Sequence, residues 1–197
     1  EPNPRSMRTL ILALVLGFIH PVLFAQKPPV KFGDVSKEEI SMTSYDKDST
    51  ASAVILADYG NSVIVYRQNS GFSLDFERIT RIKILRKDGL SWGDFTVPLY
   101  KSGSEEEKLI SFKAVTYNME DGKIIESKLK NDGIFKENYD ANRDLIKVTC
   151  PNVKEGSVVE VNYKVNSPSA FLFNFQDWNF QTTIPTVTSE YRAQIPE

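Results

Sequence analysis

The sequence predicts a mainly β fold, an antiparallel sandwich or barrel preceded by one short helix. Three observations support this prediction. Apolar and polar residues alternate with a period of two along most of the chain after residue 52. Turn-forming residues interrupt these runs about every 8–12 residues, as in many all-β domains. The clearest helix start is the S-x-x-E capping box of Ser36 and Glu39, which predicts a short helix over Lys37–Thr43.

The alternation predicts the strands in order. They are expected over Ala53–Leu56, Ser62–Tyr66, Phe72–Leu85, Phe95–Tyr100, Leu109–Met119, Ile124–Ser127, Leu145–Cys150, Ser157–Val165 and Ser189–Ile195. The Gly60-Asn61 turn signal predicts a hairpin between the first two strands, and Glu120–Lys123 predicts a second hairpin. The run Phe72–Leu85 is expected to be one long strand, or two strands bent around Glu77–Thr80, and to face the core on one side and water on the other. Residues 102–108, with three consecutive glutamates, and 135–144 are expected to be polar loops.

The N-terminal region has the pattern of a secretory signal peptide over residues 7–25. Met7 and Arg8 precede an apolar run over Leu10–Ile19, and Ala25 provides a small residue before the cleavage point. The run is about half the length of a membrane-spanning helix. We therefore expect an exported protein, periplasmic or extracellular, with no membrane span after cleavage. Residues 1–6 are interpreted as upstream translated sequence or a cloning remnant, and 26–197 as one domain.

Composition limits the chemistry of this domain. The chain has a net charge of −2, which offers no electrostatic argument for nucleic-acid binding. The single histidine, His20, lies in the signal peptide, and the single cysteine is Cys150. A cysteine nucleophile, a serine triad and most zinc or copper sites need a histidine partner. The sequence thus predicts no catalytic residue, no metal and no cofactor, and a structural role for the Cys150 thiol.

Two acidic patterns have an alternative interpretation. Asp75 and Glu77 are two residues apart on a strand, so both point to one face, as a glycosidase pair would require. A solvated strand face explains them equally well, and we favour it. Asp140–Asp144 begins like a calcium-binding loop, but Leu145 and Pro151 occupy the positions that need Gly and Glu. We therefore predict a turn there.

Aromatic residues are the remaining candidates for binding. The region Phe171–Phe180 is dense in aromatics, and the spacing of its first three phenylalanines predicts a buried strand. Exposed members of the aromatic set would instead mark an interface or a ligand site. The candidate residues for such a role are Trp92, Tyr100 and Trp178.

Several segments together carry a family resemblance. In chain order they are Ala53–Gly60, Arg81–Leu85, Ala114–Lys123, Cys150–Glu160, Trp178–Gln181, Ile184-Pro185, Ser189–Tyr191 and Ile195–Glu197. From about Phe32 onward, the chain resembles the bacterial transglutaminase-associated family called domain of unknown function 3857. The P-x-V-K-x-G-S-V-x-E and W-x-F-Q blocks are its most specific parts.

The resemblance implies an exported β-sandwich that precedes a transglutaminase-like domain in the same chain. That second domain carries a Cys-His-Asp site in active members of the family, and no residue here matches it. We expect a non-catalytic module, truncated before its downstream domain, that supports or positions a transglutaminase- or peptidase-like partner. The alternative is a stand-alone module that binds a cell-envelope glycan, protein or peptide.

Overall fold

The computed structural model describes residues 27–196, which form two β-sheets packed face to face and one short α-helix near the start. The prediction of a mainly β sandwich with a short N-terminal helix is confirmed. The predicted signal peptide and the upstream residues lie outside the described residues. Within 27–196, no helix is both long and apolar enough to cross a bilayer.

The larger sheet has six strands in the order β10-β1-β2-β9-β5-β6, and the smaller has four in the order β4-β3-β8-β7, counted over residues 27–196. The helix and the strands of the larger sheet are α1 Lys37–Ser41, β1 Ala53–Arg67, β2 Gly71–Ile84, β5 Lys108–Glu120, β6 Lys123–Lys128, β9 Val158–Ser167 and β10 Ser189–Gln194. The smaller sheet contains β3 Asp94–Ser102, β4 Glu105–Glu106, β7 Ile134–Asp140 and β8 Arg143–Thr149. Short 3₁₀ helices cover Lys87–Gly93, Asn131–Gly133 and Ser169–Phe171.

Strand β10 departs from the antiparallel prediction. It pairs parallel with β1, from Asp58 opposite Ser189 to Val63 opposite Gln194. A parallel neighbour needs a long connection, and residues 168–188 provide it between β9 and β10. The other strand pairs of both sheets are antiparallel, as the alternation predicts.

The hairpin predicted at Gly60-Asn61 is wrong, because β1 runs through both residues without a break. Gly60 is needed for close approach instead of a turn. A Cβ atom there would lie 2.5 Å from Trp178 Cζ3 and 2.8 Å from Tyr191 Cδ2. The real hairpin joins β1 to β2 after Arg67, where Gly71 has a φ of 73°. The second predicted hairpin, β5 to β6, is confirmed.

Two segments predicted to be loops take part in sheets. Residues 135–144 contribute to the antiparallel pair β7 and β8, and only Ala141 and Asn142 between them form the turn. Strand β7 lies at a sheet edge and is exposed on both faces between its half-buried ends, so its residues lack the alternation that identifies a strand. In the acidic run, Glu105 and Glu106 form β4, and Glu107 is buried.

The main core lies between the sheets. Its buried apolar side chains come from β1, β2, β5 and β9 on one side and from β3 and β8 on the other. The larger sheet is also covered on its outer face by residues 27–52, here called the strap. Ile40 of the strap packs on Val115, Tyr117 and Val158, and Val30 packs on the sheet near Ile79. One sheet is therefore buried on both faces over part of its area.

Candidate functional site

The three candidate aromatics come together around one arginine between the sheets. Trp178 places its ring 4.9 Å from the guanidinium carbon of Arg78. Two small clefts of about 190 Å³ and 150 Å³ open on either side of Thr96, and Trp92 lines the first and Tyr100 the second. Both clefts also share Arg78 and Tyr163 in their walls. Folding thus brings three distant aromatic residues to one location, which is here called the inter-sheet site.

Arg78 is held by a bidentate ion pair with Asp58 across the β1–β2 ladder. Its Nε lies 2.8 Å from Oδ1 of Asp58, and its Nη2 lies 2.7 Å from Oδ2. Burial is the largest single effect and lowers the pKa of Arg78, but the hydrogen bonds and charge interactions with Asp58 and Tyr163 together outweigh it, so that pKa is raised above its usual value. Burial also raises the pKa of the Tyr163 hydroxyl. Neither group exchanges a proton near neutral pH, so the inter-sheet site is a fixed electrostatic anchor.

Trp178 is anchored on several sides and is only half-buried. Its Nε1 donates a hydrogen bond of 3.1 Å to Ser189 Oγ, and its ring lies 5.2 Å from that of Tyr191. Gly60 allows the ring to approach the backbone of β1. Trp92 and Trp178 both pack against the main core. The aromatics around Arg78 therefore hold the connection after β9 against the sandwich.

The aromatic segment, Phe171–Phe180, does not form the predicted buried strand. It contains the end of a 3₁₀ helix followed by irregular chain. Phe173 is 83% exposed and Phe180 is 56% exposed. The prediction of a core position is wrong for these two side chains. The segment crosses the edge of the sandwich as an irregular connection, so a spacing of two does not give alternate burial there.

Cys150 is free and buried at the end of β8, next to Pro151. Burial, with a smaller effect of Asp94, raises the pKa of the Cys150 thiol to about 12. The thiol therefore keeps its proton at neutral pH and is a poor nucleophile. Its place among the apolar side chains of the main core fits the predicted structural role.

Asp75 and Glu77 point to the same outer face of β2, as the alternation predicts, and each has a nearby cation. Asp75 lies 2.5 Å from Arg67 and accepts a hydrogen bond of 2.7 Å from Asn166. Glu77 lies 3.3 Å from Lys164 and accepts a hydrogen bond from Asn162. Asp75 and Glu77 line an open groove of about 520 Å³ that crosses β1, β2 and β9, here called the outer groove.

Further along the same face, the strap covers a buried ion network that the sequence did not predict. Arg81 donates from Nε and Nη2 to Glu160 Oε1, at 3.0 and 2.6 Å, and from Nη1 to Glu39 Oε1 at 2.8 Å. Glu160 Oε2 also accepts from the backbone N–H of Gly33 at 2.6 Å and from the Tyr117 hydroxyl at 3.3 Å. This network corrects the expectation that the charges between the apolar residues of β2 face water.

Lys83 is the most unusual member of this covered region. Its side chain is fully buried, and Nζ donates to the carbonyl oxygens of Ile40 and Gly156, both at 2.6 Å. Burial lowers the pKa of Lys83 to about 8. The sequence contains one signal for this buried ion network. Glu160 lies inside the apolar run Val158–Val161, and a lone carboxylate at that position requires a buried partner.

Two further predicted features have structural positions. Asp140 is the last residue of β7, directly before the turn, where its Oδ1 accepts from the N–H of Asn142 at 2.8 Å and its Oδ2 from Arg143. Glu107 accepts from Tyr100 N at 3.0 Å and from Ser167 Oγ at 2.6 Å, which corrects its assignment to a solvated loop. Among residues 27–196, no cluster of three or more His, Cys, Asp or Glu side chains could hold a metal ion.

Residues 27–196 thus define a two-sheet β-sandwich whose larger sheet is covered on its outer face over one half and open over the other. No protein-family model and no curated protein matches the chain. Among solved structures, it is similar to a "putative protease" from Parabacteroides distasonis, at 12% identity and a TM-score of 0.44. That similarity covers 59% of this chain and 23% of the other, so the match spans less than a quarter of that protein.

Proposed function

We propose that this domain is an exported, non-catalytic β-sandwich module that supports or positions a transglutaminase- or peptidase-like domain of the same chain. The aromatic segment is the contact surface in this proposal. The observation that supports it is the contrast within that segment. Phe173 and Phe180 are exposed, while Trp178 between them is fixed to the sandwich by Arg78 and Ser189.

An anchored segment with exposed aromatic side chains suits a protein interface. Aromatic residues are enriched in the buried cores of interfaces. A backbone that is already held in place loses little conformational freedom on binding, which leaves more of the contact free energy for affinity. Val187 on the connection and Ile195 after β10 are also exposed apolar side chains.

The chemistry of the candidate residues is in keeping with a supporting role. The Cys150 thiol is protonated at neutral pH because of its burial. Asp75 and Glu77 are engaged with cations and amides of the same sheet face. Arg78 is neutralised by Asp58. Each of these groups already has a structural contact that explains its position.

The test is a double substitution, Phe173→Ser with Phe180→Ser, in the full-length gene product. We expect the neighbouring domain to be released from the β-sandwich. The linker, meaning the chain that joins the two domains, should then become more susceptible to trypsin, and backbone amides of the aromatic segment should exchange faster with deuterium. The isolated β-sandwich should unfold at an unchanged temperature, because both side chains are exposed in it.

Phe135→Ser with Tyr139→Ser is the matched control, since these exposed aromatics lie on β7 in the other sheet. The control should leave the linker protected. Equal effects of the two double variants would contradict the proposal. So would a gene whose reading frame stops after Glu197 or continues without cysteine and histidine codons.

The alternative, a stand-alone module for a cell-envelope glycan or peptide, is supported by the two clefts of the inter-sheet site. Trp92 and Tyr100 line them beside polar groups, as in many ligand sites. Each cleft is smaller than the roughly 300 Å³ at which such pockets usually begin. Retention on peptidoglycan that is lost in Trp92→Ala would favour this alternative, and unaltered retention would remove it.

A further inference from the structure

The edge strands of the two sheets differ in how well they are protected against pairing with another strand. Over residues 27–196 they are β10 and β6 in the larger sheet and β4 and β7 in the smaller. Strand β4 has only two residues, and the register of β7 with β8 breaks between Asn138 and Asp140. Short edge strands and bulges prevent unwanted pairing. Strand β6 has neither device, because its register with β5 is regular from Lys123 to Lys128.

The edge of β6 is distant from both ends of the described chain. Arg192 on β10 donates a hydrogen bond of 3.1 Å to the carbonyl oxygen of Lys27, and the chain leaves β10 at Gln194. Strands β10 and β6 lie at opposite edges of the six-stranded sheet. Any segment that precedes Lys27 or follows Gln194 therefore starts at the far edge from β6.

The backbone groups of β6 that point away from β5 can be assigned. The N–H of Leu129, directly after β6, donates to the carbonyl oxygen of Ala114 on β5 at 2.9 Å. Bonding groups alternate in direction along a strand, and the register here is unbroken. The groups of the odd-numbered residues of β6 therefore face β5. Those of Glu126 and Lys128 face the edge.

The side chains at this edge are complementary to a second copy of the same strand. Glu126 and Lys128 lie on one face, and their side chains are 45% and 73% exposed. An antiparallel copy of β6 centred on Ser127 places each Glu126 opposite the Lys128 of the other copy. Opposite charges on facing strands attract. The same register places Ile125, which is 42% exposed, opposite the apolar Leu129 of the other copy.

The order of the charges also selects this register. Charged residues on an edge strand commonly discourage pairing. A register centred on Glu126 would place that carboxylate opposite its own copy, where like charges repel. Centring on Ser127 is the register in which both charges of the strand meet an opposite charge.

We propose that β6 is the contact strand of a symmetric dimer, in which two copies of this chain join their larger sheets through antiparallel β6 strands centred on Ser127. The N–H of Glu126 donates to the carbonyl oxygen of Lys128 in the second copy, and the N–H of Lys128 donates to that of Glu126. Two-fold symmetry repeats both hydrogen bonds, as it does every contact of such an interface. The contact uses no residue of the aromatic segment, so it goes beyond the proposed function and is tested separately.

The experiment compares charge variants of the full-length gene product by sedimentation. Wild type is expected to show a monomer–dimer equilibrium at concentrations below about 1 mM. Glu126→Lys alone places two positive side chains opposite each other, and Lys128→Glu alone places two negative ones. We expect each variant to dimerise at least about tenfold more weakly, since both symmetry-related pairs become repulsive.

Mixing the two single variants tests the register directly. In the mixed pair, every charge again faces an opposite charge, so dimerisation should return to within about threefold of wild type. The double variant Glu126→Lys with Lys128→Glu keeps the two charges opposite and should also dimerise. Recovery on mixing requires both variants to be folded, which separates repulsion from misfolding. Lys123→Glu is the matched control, because its bonding groups face β5 and it lies outside the paired stretch.

The outcomes divide clearly. Wild type that stays monomeric at about 1 mM would overturn the proposal. So would dimerisation that persists in both single variants, or that does not return when they are mixed. Deuterium exchange locates the contact, since the amides of Glu126 and Lys128 should exchange more slowly as concentration rises. Unchanged exchange there in a dimeric sample would assign the dimer to another surface and overturn the proposal.

Discussion

The two halves of the outer face of the larger sheet use the same strands and similar charged residues, yet they differ in burial. Under the strap, Arg81 and Glu160 form an ion pair whose side chains are 7% and 0% exposed. In the open half, Glu77 and Lys164 pair with side chains that are 33% and 50% exposed. Both pairs join β2 to β9 in one register. The comparison shows that coverage by the strap, and not residue type, decides how much a charged side chain contributes to stability.

Physical chemistry explains why the cover matters. An exposed pair has a strength of about 0–1 kcal/mol, because water and salt screen it. A buried charge cannot return to water when its partner is removed, so breaking a buried pair is far more costly. Under the strap, the charged side chains that alternate along the strands therefore depend on one another for their contacts. Four predictions test this contrast, from the largest expected effect to the smallest.

Glu160→Ala is expected to have the largest effect. It leaves Arg81 buried with Glu39 as its remaining carboxylate partner and removes the acceptor of the Gly33 N–H. We expect the free energy of unfolding to fall by about 3–5 kcal/mol in urea at neutral pH. Glu77→Ala in the open half is the matched control and should cost less than about 1 kcal/mol. Equal costs would contradict the contrast between the two halves.

Ile40→Ala tests the apolar part of the cover. Ile40 is 3% exposed and packs on Val115 and Tyr117. Its truncation should lower the free energy of unfolding by about 2–4 kcal/mol through lost burial and a cavity. Ile110→Ala, at an exposed position beside the outer groove, should change it by less than about 0.5 kcal/mol. A small effect of Ile40→Ala would show that the strap contributes little to stability.

The burial of Lys83 predicts that stability depends on pH. Burial lowers its folded-state pKa from 10.5 to about 8, so the unfolded chain binds more protons between these values. The contribution of Lys83 to stability should therefore rise as pH increases from about 8 to 9.5, by up to about 2 kcal/mol, while the raised pKa of the buried Cys150 thiol gives an opposing loss over the same range. The upper limit keeps the pH below the ordinary pKa of tyrosine. This gain should be lost again as the pH falls through 8.

Lys83→Met should remove the Lys83 contribution and so lower the slope of stability against pH, and Lys164→Met in the open half should retain the wild-type slope. Urea unfolding at a series of pH values measures both. If Lys83→Met keeps the wild-type slope between pH 8 and 9.5, another group is responsible and the assignment to Lys83 is wrong.

Asp75→Asn is expected to have the smallest effect. The substitution removes the charge opposite Arg67 but keeps a side chain of the same size at a part-exposed position. We expect the free energy of unfolding to change by less than about 1 kcal/mol, with a weaker response to salt than wild type. If glycosidase activity were detected in the domain and lost in this variant, Asp75 would be a catalytic residue and the proposed non-catalytic role would fail.

The alternation of apolar and polar residues predicts strands correctly where one face of the strand packs against the core. Strands β5 and β9 follow the ranges predicted from Leu109–Met119 and Ser157–Val165, within a few residues. The capping box of Ser36 and Glu39 is present with both hydrogen bonds. These features depend on residues close in sequence, so local physical chemistry is enough to predict them.

Prediction failed where a distant part of the chain changes the surroundings. Gly60 has the sequence of a turn, but it serves to admit the Trp178 ring, which comes from a segment more than a hundred residues later. The aromatic spacing of Phe171–Phe180 resembled a strand, but no neighbouring strand pairs with it in the described structure. Nothing in the spacing of Trp92, Tyr100 and Trp178 along the sequence indicates that Arg78 lies near them.

The sequence by itself determined the β class, most strands, the helix start and the confinement of histidine to the predicted signal peptide. Tertiary structure alone decided the parallel position of β10 and the cover over Arg81, Glu160 and Lys83. The physical reason is that alternation reports which face of a strand is apolar, a local property. Whether a polar face is exposed to solvent depends on what packs against it. In this protein the strap covers one half of that face and leaves the other to the outer groove.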